Sequence, residues 1–339
     1  MTPPPIAPET IEQYTFLLDH AGFVDVGDRT QIRVTGADRV RFLQGFCTND
    51  IKRLVRGTGC EAFLTNAKGK LVGHVFVFCG SEDLTLETSP GQGETIVRHL
   101  DRYVIRENVQ FHDLQARAVE FFVAGQHAAA ALAALVGGPV PDGLLAHQTG
   151  NVSGVPISVR RVPLAVVPAF LVSCPAERSD ELGRRLIAGG VRPCAAEVFD
   201  IARVEAGFPL FGRDINEDCL PQEVNRDAAA ISFTKGCYLG QETVARIDAL
   251  GHVNRKLVGL RWFGADALPA GQELTVAGQP IGRVTSVVWS PRQQTVLALA
   301  QLRSGFAQGG LRLETSSGAA EVIDWFSARV DIATNDASV

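Results

Sequence analysis

No two of the seven cysteines in this 339-residue chain are separated by only two residues. That absence excludes zinc ribbons and the common iron–sulfur ligand runs, which need closely spaced thiolates. The seven, at 47, 60, 79, 174, 194, 219 and 237, are odd in number and cannot all pair within the chain. They read mostly as small buried apolar residues in a reducing compartment. An excess of basic charge is also missing. The formal net charge of −5 argues against a sequence-wide nucleic-acid surface, and leaves open a local basic pocket for a small anion. Long apolar runs are absent too: the weakly polar stretch 128–140 is too short for a bilayer and ends in Gly137-Gly138-Pro139. The start, Met1-Thr2-Pro3-Pro4-Pro5, lacks the basic and apolar regions of a signal peptide. A cytoplasmic protein without membrane or nucleic-acid partners is expected.

What is present is an ordinary globular composition, 46% hydrophobic and 20% charged, in a chain long enough for two or three cores. A short helix is expected over 9–20, and a strand over 31–35. Asp38 stands where it can cap a helix carrying Val40, Phe42, Leu43 and Phe46. Strand-like runs at 62–65, 71–78 and 84–88 are followed by a helix at 94–103 and an extended segment at 109–111. The region 118–200 repeats this α+β theme without repeating sequence. After Gly251, short strands separated by glycine and proline indicate a small β-barrel or sandwich.

The most informative stretch is Lys235-Gly236-Cys237-Tyr238-Leu239-Gly240-Gln241-Glu242. It lies between an apolar run at 228–233 and a helical pattern at 243–247, and so reads as strand, turn, helix. A cysteine in such a turn lies near free N–H groups, a helix N-terminus and Lys235, each of which favours the thiolate. The opposing reading of Cys237 is a structural turn cysteine. Gly236 and Gly240 serve backbone geometry under either reading.

This octapeptide, with Arg203-Val204-Glu205-Ala206-Gly207, Leu220-Pro221-Gln222-Glu223, Phe42-Leu43-Gln44-Gly45, Thr48-Asn49-Asp50, Asn66-Ala67-Lys68-Gly69-Lys70 and Ile281-Gly282-Arg283-Val284-Thr285-Ser286, resembles the YgfZ branch of the folate-binding YgfZ/GcvT superfamily. The resemblance spans roughly residues 25–330. It implies an α+β, three-domain fold, with a second α+β domain inserted in the first and a small C-terminal β-barrel. The implied divisions are 21–52 with 116–250 for the first, folate-binding domain, 53–115 for an inserted ferredoxin-like unit, 251–332 for the barrel, and tails at 1–20 and 333–339. It also implies bound tetrahydrofolate, and support of iron–sulfur cluster assembly or repair with client or assembly proteins as partners.

Under that resemblance Cys237 and Lys235 are the candidate catalytic pair. Arg203, Glu223, Tyr238, Gln241, Glu242, Asn49 and Asn66 are the candidate folate contacts, and no metal ligand is assigned. Five of them have a plain alternative: a helix-end or turn role for Gln241, Glu242, Asn49 and Asn66, and an ion pair with Glu205 or Glu223 for Arg203. The acidic pair of the aminomethyltransferases is missing, since Gly73 and His74 occupy its expected positions. Glycine-cleavage-type aminomethyl transfer is therefore the alternative activity, and would gain from an acidic side chain near Gly73. A non-enzymatic folate carrier or scaffold is a further one.

Overall fold

The computed structural model describes residues 6–27, 29–264 and 267–323, and Leu250 by its backbone alone. The chain begins with α1 (Pro8–Asp19), whose first turn accepts proline because that N–H needs no partner. Thr10, Tyr14 and Leu17, spaced along one face, are buried, and the Tyr14 hydroxyl donates to Glu205. Residues 6–20 are thus part of a core rather than a tail, and the Pro-rich residues 1–5 lie outside the described residues. Strand β1 (Gly22–Asp25) follows.

A five-stranded sheet comes next, built by β2 (Thr30–Thr35), β3 (Gly59–Thr65), β4 (Leu71–Cys79), β5 (Leu84–Thr88) and β6 (Gln110–Asp113) in the order β3-β4-β5-β2-β6. Helices α2 (Arg39–Gln44) and α3 (Gly93–Asp101) contribute to its core. Ile32 and Val34 alternate onto that core together with Leu84, Leu86 and Ile96. That alternation places β2 inside the sheet, which therefore takes in residues from 30 rather than from 53. Asp38 does not cap α2. Its carboxylate instead accepts the Asn108 N–H at 2.8 Å and pairs with Arg41 at 3.1 Å.

The remaining α+β unit contains β7 (Ala118–Ala124), α4 (Ala128–Val136), β8 (His147–Val152), β9 (Val155–Arg161), β10 (Ala169–Pro175), α5 (Ser179–Ala188), β11 (Arg192–Pro193) and α6 (Ala196–Glu205). Its sheet runs β11-β1-β7-β10-β9-β8 and so recruits β1. No strand forms at 228–233. Asp227–Ala230 is the short helix α7, because Ala228 and Ala229 are exposed and only Ala230 and Ile231 bury. Helix α8 (Gln241–Leu250) ends at Gly251, φ 76°.

The last unit is β12 (Arg255–Trp262), β13 (Glu273–Val276), β14 (Gln279–Ser290), β15 (Thr295–Arg303), β16 (Arg312–Thr315) and β17 (Gly318–Ile323). These form a barrel-like sheet in the order β13-β14-β15-β12-β17-β16. Thr275 Oγ1 donates to Ser316 Oγ at 2.9 Å, drawing the two edges towards closure. The expected end near 332 lies outside the described residues. Among the described residues, no helix is long and apolar enough to cross a membrane.

Candidate functional site

Three turns far apart in the chain meet at one place: residues 44–48 after α2, 66–70 between β3 and β4, and 231–240 between α7 and α8. The Ser232 N–H donates to Thr48 O at 3.0 Å and the Leu239 N–H to Gly45 O at 2.9 Å. Thr65 Oγ1 donates to Leu239 O at 2.6 Å, and Thr48 Oγ1 to Ala230 O at 2.6 Å. Gly240 has φ 82°, and a Cβ on it would lie 2.4 Å from Asn66 O. Only glycine permits both that conformation and that approach.

Lys235 is turned into this junction. Its Nζ donates to Gln44 O at 2.7 Å and to Cys47 O, and lies 4.9 Å from the Tyr238 ring centroid. Burial pulls the ammonium below its ordinary range and pushes the Tyr238 hydroxyl up to about 12. Lys235 therefore fastens the loop through buried carbonyl contacts, whereas Cys237 is exposed. Phe233, 49% exposed, lies on the same loop. Asn49 Nδ2 donates to Glu61 O and Ala229 O, at 2.8 and 3.0 Å. Asn66 Oδ1 accepts the N–H groups of Lys68 and Lys70, at 2.9 and 3.1 Å. Both asparagines hold turns. Gln241 is half-buried and Glu242 exposed in the first turn of α8.

Behind the junction, β3 and β4 carry a buried charged and aromatic cluster. His74 stacks on Phe208, centroids 5.2 Å apart and planes 19° apart, with Phe63 on another side at 5.0 Å. His74 Nε2 lies 2.7 Å from Glu61 Oε1. Arg226 Nη2 donates to Glu61 Oε2 at 2.5 Å, its Nε donates to Oε1, and its Cζ sits 4.9 Å from the Phe208 centroid. Burial raises the Glu61 carboxyl, but Arg226 and the His74 hydrogen bond outweigh it and hold the group at about 2. A cavity of about 10 Å³, enough for one water, is lined by Arg29, His74, Phe76, Glu87, Ser89 and Phe208. Gly73 faces the other way: a Cβ there would stand 3.0 Å from Ile96 Cδ1, in the α3-side core. Position 73 thus has no room for a carboxylate at this cluster, and Glu61 supplies one from the neighbouring strand.

Arg203 and Glu223 are elsewhere. Arg203 is 0% exposed and donates to Asp200, Asp214, Phe208 O and Ser286 Oγ. It bolts α6 to β14 instead of facing an open pocket, and its ion-pair partners are Asp200 and Asp214, not Glu205 or Glu223. Glu223 Oε2 accepts the Leu220 N–H at 2.9 Å and pairs with Arg255 at 3.2 Å.

The GCVT N-terminal domain family matches residues 6–235 of this architecture. The chain belongs to that family. The glycine cleavage T-protein C-terminal barrel domain matches residues 255–324, in accord with the barrel-like sheet. The aminomethyltransferase of Nostoc sp. is 28% identical over 305 residues, covering 87% of this chain and 80% of that protein. The mitochondrial aminomethyltransferase of Gallus gallus is 29% identical over 322 residues, covering 89% and 79%. The crystal structure of the glycine cleavage system aminomethyltransferase T from Bartonella henselae superimposes with a TM-score of 0.84 at 21% identity, covering 94% of this chain and 89% of that one. That likeness establishes the shared GcvT fold.

Sequence reasoning missed Glu61 and Arg226 in this GcvT-family chain. The signal for Glu61 was a lone carboxylate in the run Cys60-Glu61-Ala62-Phe63-Leu64, since a charge within an apolar strand needs a buried partner. No local pattern named Arg226, which lies 165 residues away in sequence.

Proposed function

We propose that this GcvT-family chain binds tetrahydrofolate and carries out one-carbon transfer of the aminomethyltransferase kind. The observation that carries this reading is the buried, ionised Glu61 carboxylate beside His74. A reduced pterin presents N–H donors and a flat ring; Glu61, Phe208 and His74 are the matching acceptor and ring faces, which are partnered within the cluster here and become available when Arg226 and Phe208 move off them. Bound folate would supply the acceptor for the one-carbon unit. With its carboxyl held at about 2, Glu61 stays charged at neutral pH and acts as an orienting and electrostatic group, not as a proton donor. It fixes the His74 ring through the 2.7 Å contact at Nε2. The cavity of about 10 Å³ beside His74 and Phe208 is smaller than a pterin and does not reach Glu61, so binding requires the cluster to rearrange. Glycine-cleavage exchange activity that is present in the wild type and lost in Glu61→Gln is the expected result. Wild-type protein without that activity contradicts the reading.

A second reading is favoured by one observation: Cys237, within Lys235-Gly236-Cys237-Tyr238-Leu239-Gly240-Gln241-Glu242, is the one exposed cysteine of the seven. In it the chain is of the YgfZ kind, cytoplasmic, and supports iron–sulfur assembly or repair in client proteins through that thiol. Cys237→Ser would then abolish complementation of a strain lacking such a protein while leaving tetrahydrofolate binding intact. Full complementation by the variant removes this reading.

A further inference from the structure

A second cavity, an open trench of about 890 Å³, runs between residues 212–216 and the barrel. Its volume falls within the range of small-molecule sites. Four arginines line it, Arg213, Arg255, Arg283 and Arg303, in a chain whose overall charge is −5.

The strand register explains how three of them gather. Arg283 of β14 lies opposite Gln301 of β15, and Arg303, two residues further along β15, lies directly opposite Arg255 of β12. Residues opposite one another, and residues two apart on one strand, share a face. Like charges placed directly opposite repel. The compensation inside the protein is partial. Arg255 pairs with Glu223 at 3.2 Å and Arg213 with Asp200 at 2.9 Å. Arg283 Nε reaches only a carbonyl, Gly271 O, at 2.9 Å. Arg303 has no ion-pair or side-chain hydrogen-bond partner among the described residues, and both Arg283 and Arg303 are exposed. The trench carboxylates do not neutralise this face. Asp214 is consumed inward by Arg203, Ser286, Thr285 and the Leu210 N–H, which leaves one carboxylate, Glu273, directly opposite Arg283 in the strand register, against four arginines.

We propose that this trench binds an extended polycarboxylate, and that its ligand is the γ-linked glutamate tail of a folate. Guanidinium forks pair with carboxylates in bidentate fashion, and each γ-linked glutamate leaves one carboxylate free. A chain of such groups neutralises the Arg255–Arg303 opposition along the trench. Naming the folate tail rests on the function proposed above. The covalent path supports it: Phe208 lines the pterin-side cavity, and the Phe211 N–H donates to Ser89 Oγ of that cavity at 2.9 Å. One residue later the same loop, 212–216, forms the trench wall.

The test uses the full-length protein and free γ-linked triglutamate, without any pterin, in calorimetric titrations at low salt. Wild type is expected to bind, and the double variant R283Q/R303Q to bind about tenfold more weakly. The same variant is expected to lose the preference for triglutamyl over monoglutamyl tetrahydrofolate while keeping monoglutamate affinity and thermal stability. Absence of triglutamate binding by wild type, or unchanged binding by the folded variant, overturns the proposal. Tighter binding of inorganic tripolyphosphate overturns the carboxylate assignment. If triglutamate binds and no form of tetrahydrofolate does, the trench stands as a polycarboxylate site and its folate identity falls.

Discussion

Glu61 Oε1 lies 2.7 Å from His74 Nε2, from the strand beside His74 and at no residue of the Gly73-His74 pair itself. Cross-strand pairing of Phe63 with His74 sets Glu61 two residues along on the same face. A carboxylate is thereby delivered to the cluster without a carboxylate in the β4 sequence.

The Glu61 carboxylate, held down chiefly by Arg226 and then by His74, should make the protein acid-sensitive. The Glu61 carboxyl, held at about 2 against an ordinary 4.5, stabilises the fold fully above the ordinary value. As pH falls from about 4.5 towards 2, protonation removes on the order of 3 kcal/mol. Urea midpoints measured between pH 7 and pH 2.5 should fall through that window in wild type. In Glu61→Gln, already destabilised because Arg226 is left buried without its carboxylate, the fall should be shallower.

The glycines of the junction divide sharply. Gly240→Ala should cost roughly 2 kcal/mol or more, because alanine is strained at φ 82° and its Cβ meets Asn66 O. Gly236→Ala meets nothing within 4 Å and should stay within about 0.5 kcal/mol of wild type. Thermal melts of the two variants test the contrast.

Much of this was legible in the sequence. Alternation at 62–65, 71–78 and 84–88 became β3, β4 and β5, and the glycine-spaced strands after Gly251 became the barrel-like sheet. The gathering of residues 42–50, 66–70 and 235–242 into one neighbourhood agrees with the motifs that carried the resemblance. Long-range polar pairing was not legible. Arg203 meets Ser286 across 83 residues, and nothing around either predicts it. The run 228–233, read as a strand, buries only Ala230 and Ile231, and 227–230 forms a helical turn instead.

Arg203 separates an arginine that holds the fold from one that holds a ligand. Arg203→Met should destabilise by about 3–5 kcal/mol, since it leaves Asp214 buried with its guanidinium partner gone. Tetrahydrofolate affinity measured well below the variant's melting temperature should match wild type. Loss of affinity in the fully folded variant would return Arg203 to the ligand site.

Exposure predicts which thiol reacts. Brief iodoacetamide treatment of native protein, read by peptide mass spectrometry, should label Cys237 first among the seven cysteines. Cys237→Ser should remove that fast phase and change stability by less than about 0.5 kcal/mol.

If Glu61 and its neighbours form the folate site, changing them weakens folate binding. Calorimetric titration of tetrahydrofolate into wild type, Glu61→Gln and Phe208→Leu, each verified as folded by its melting curve, tests it most directly. Wild type should bind, with affinities at least about tenfold lower in both variants. Equal affinity in all three folded proteins, or no binding by wild type, would contradict it.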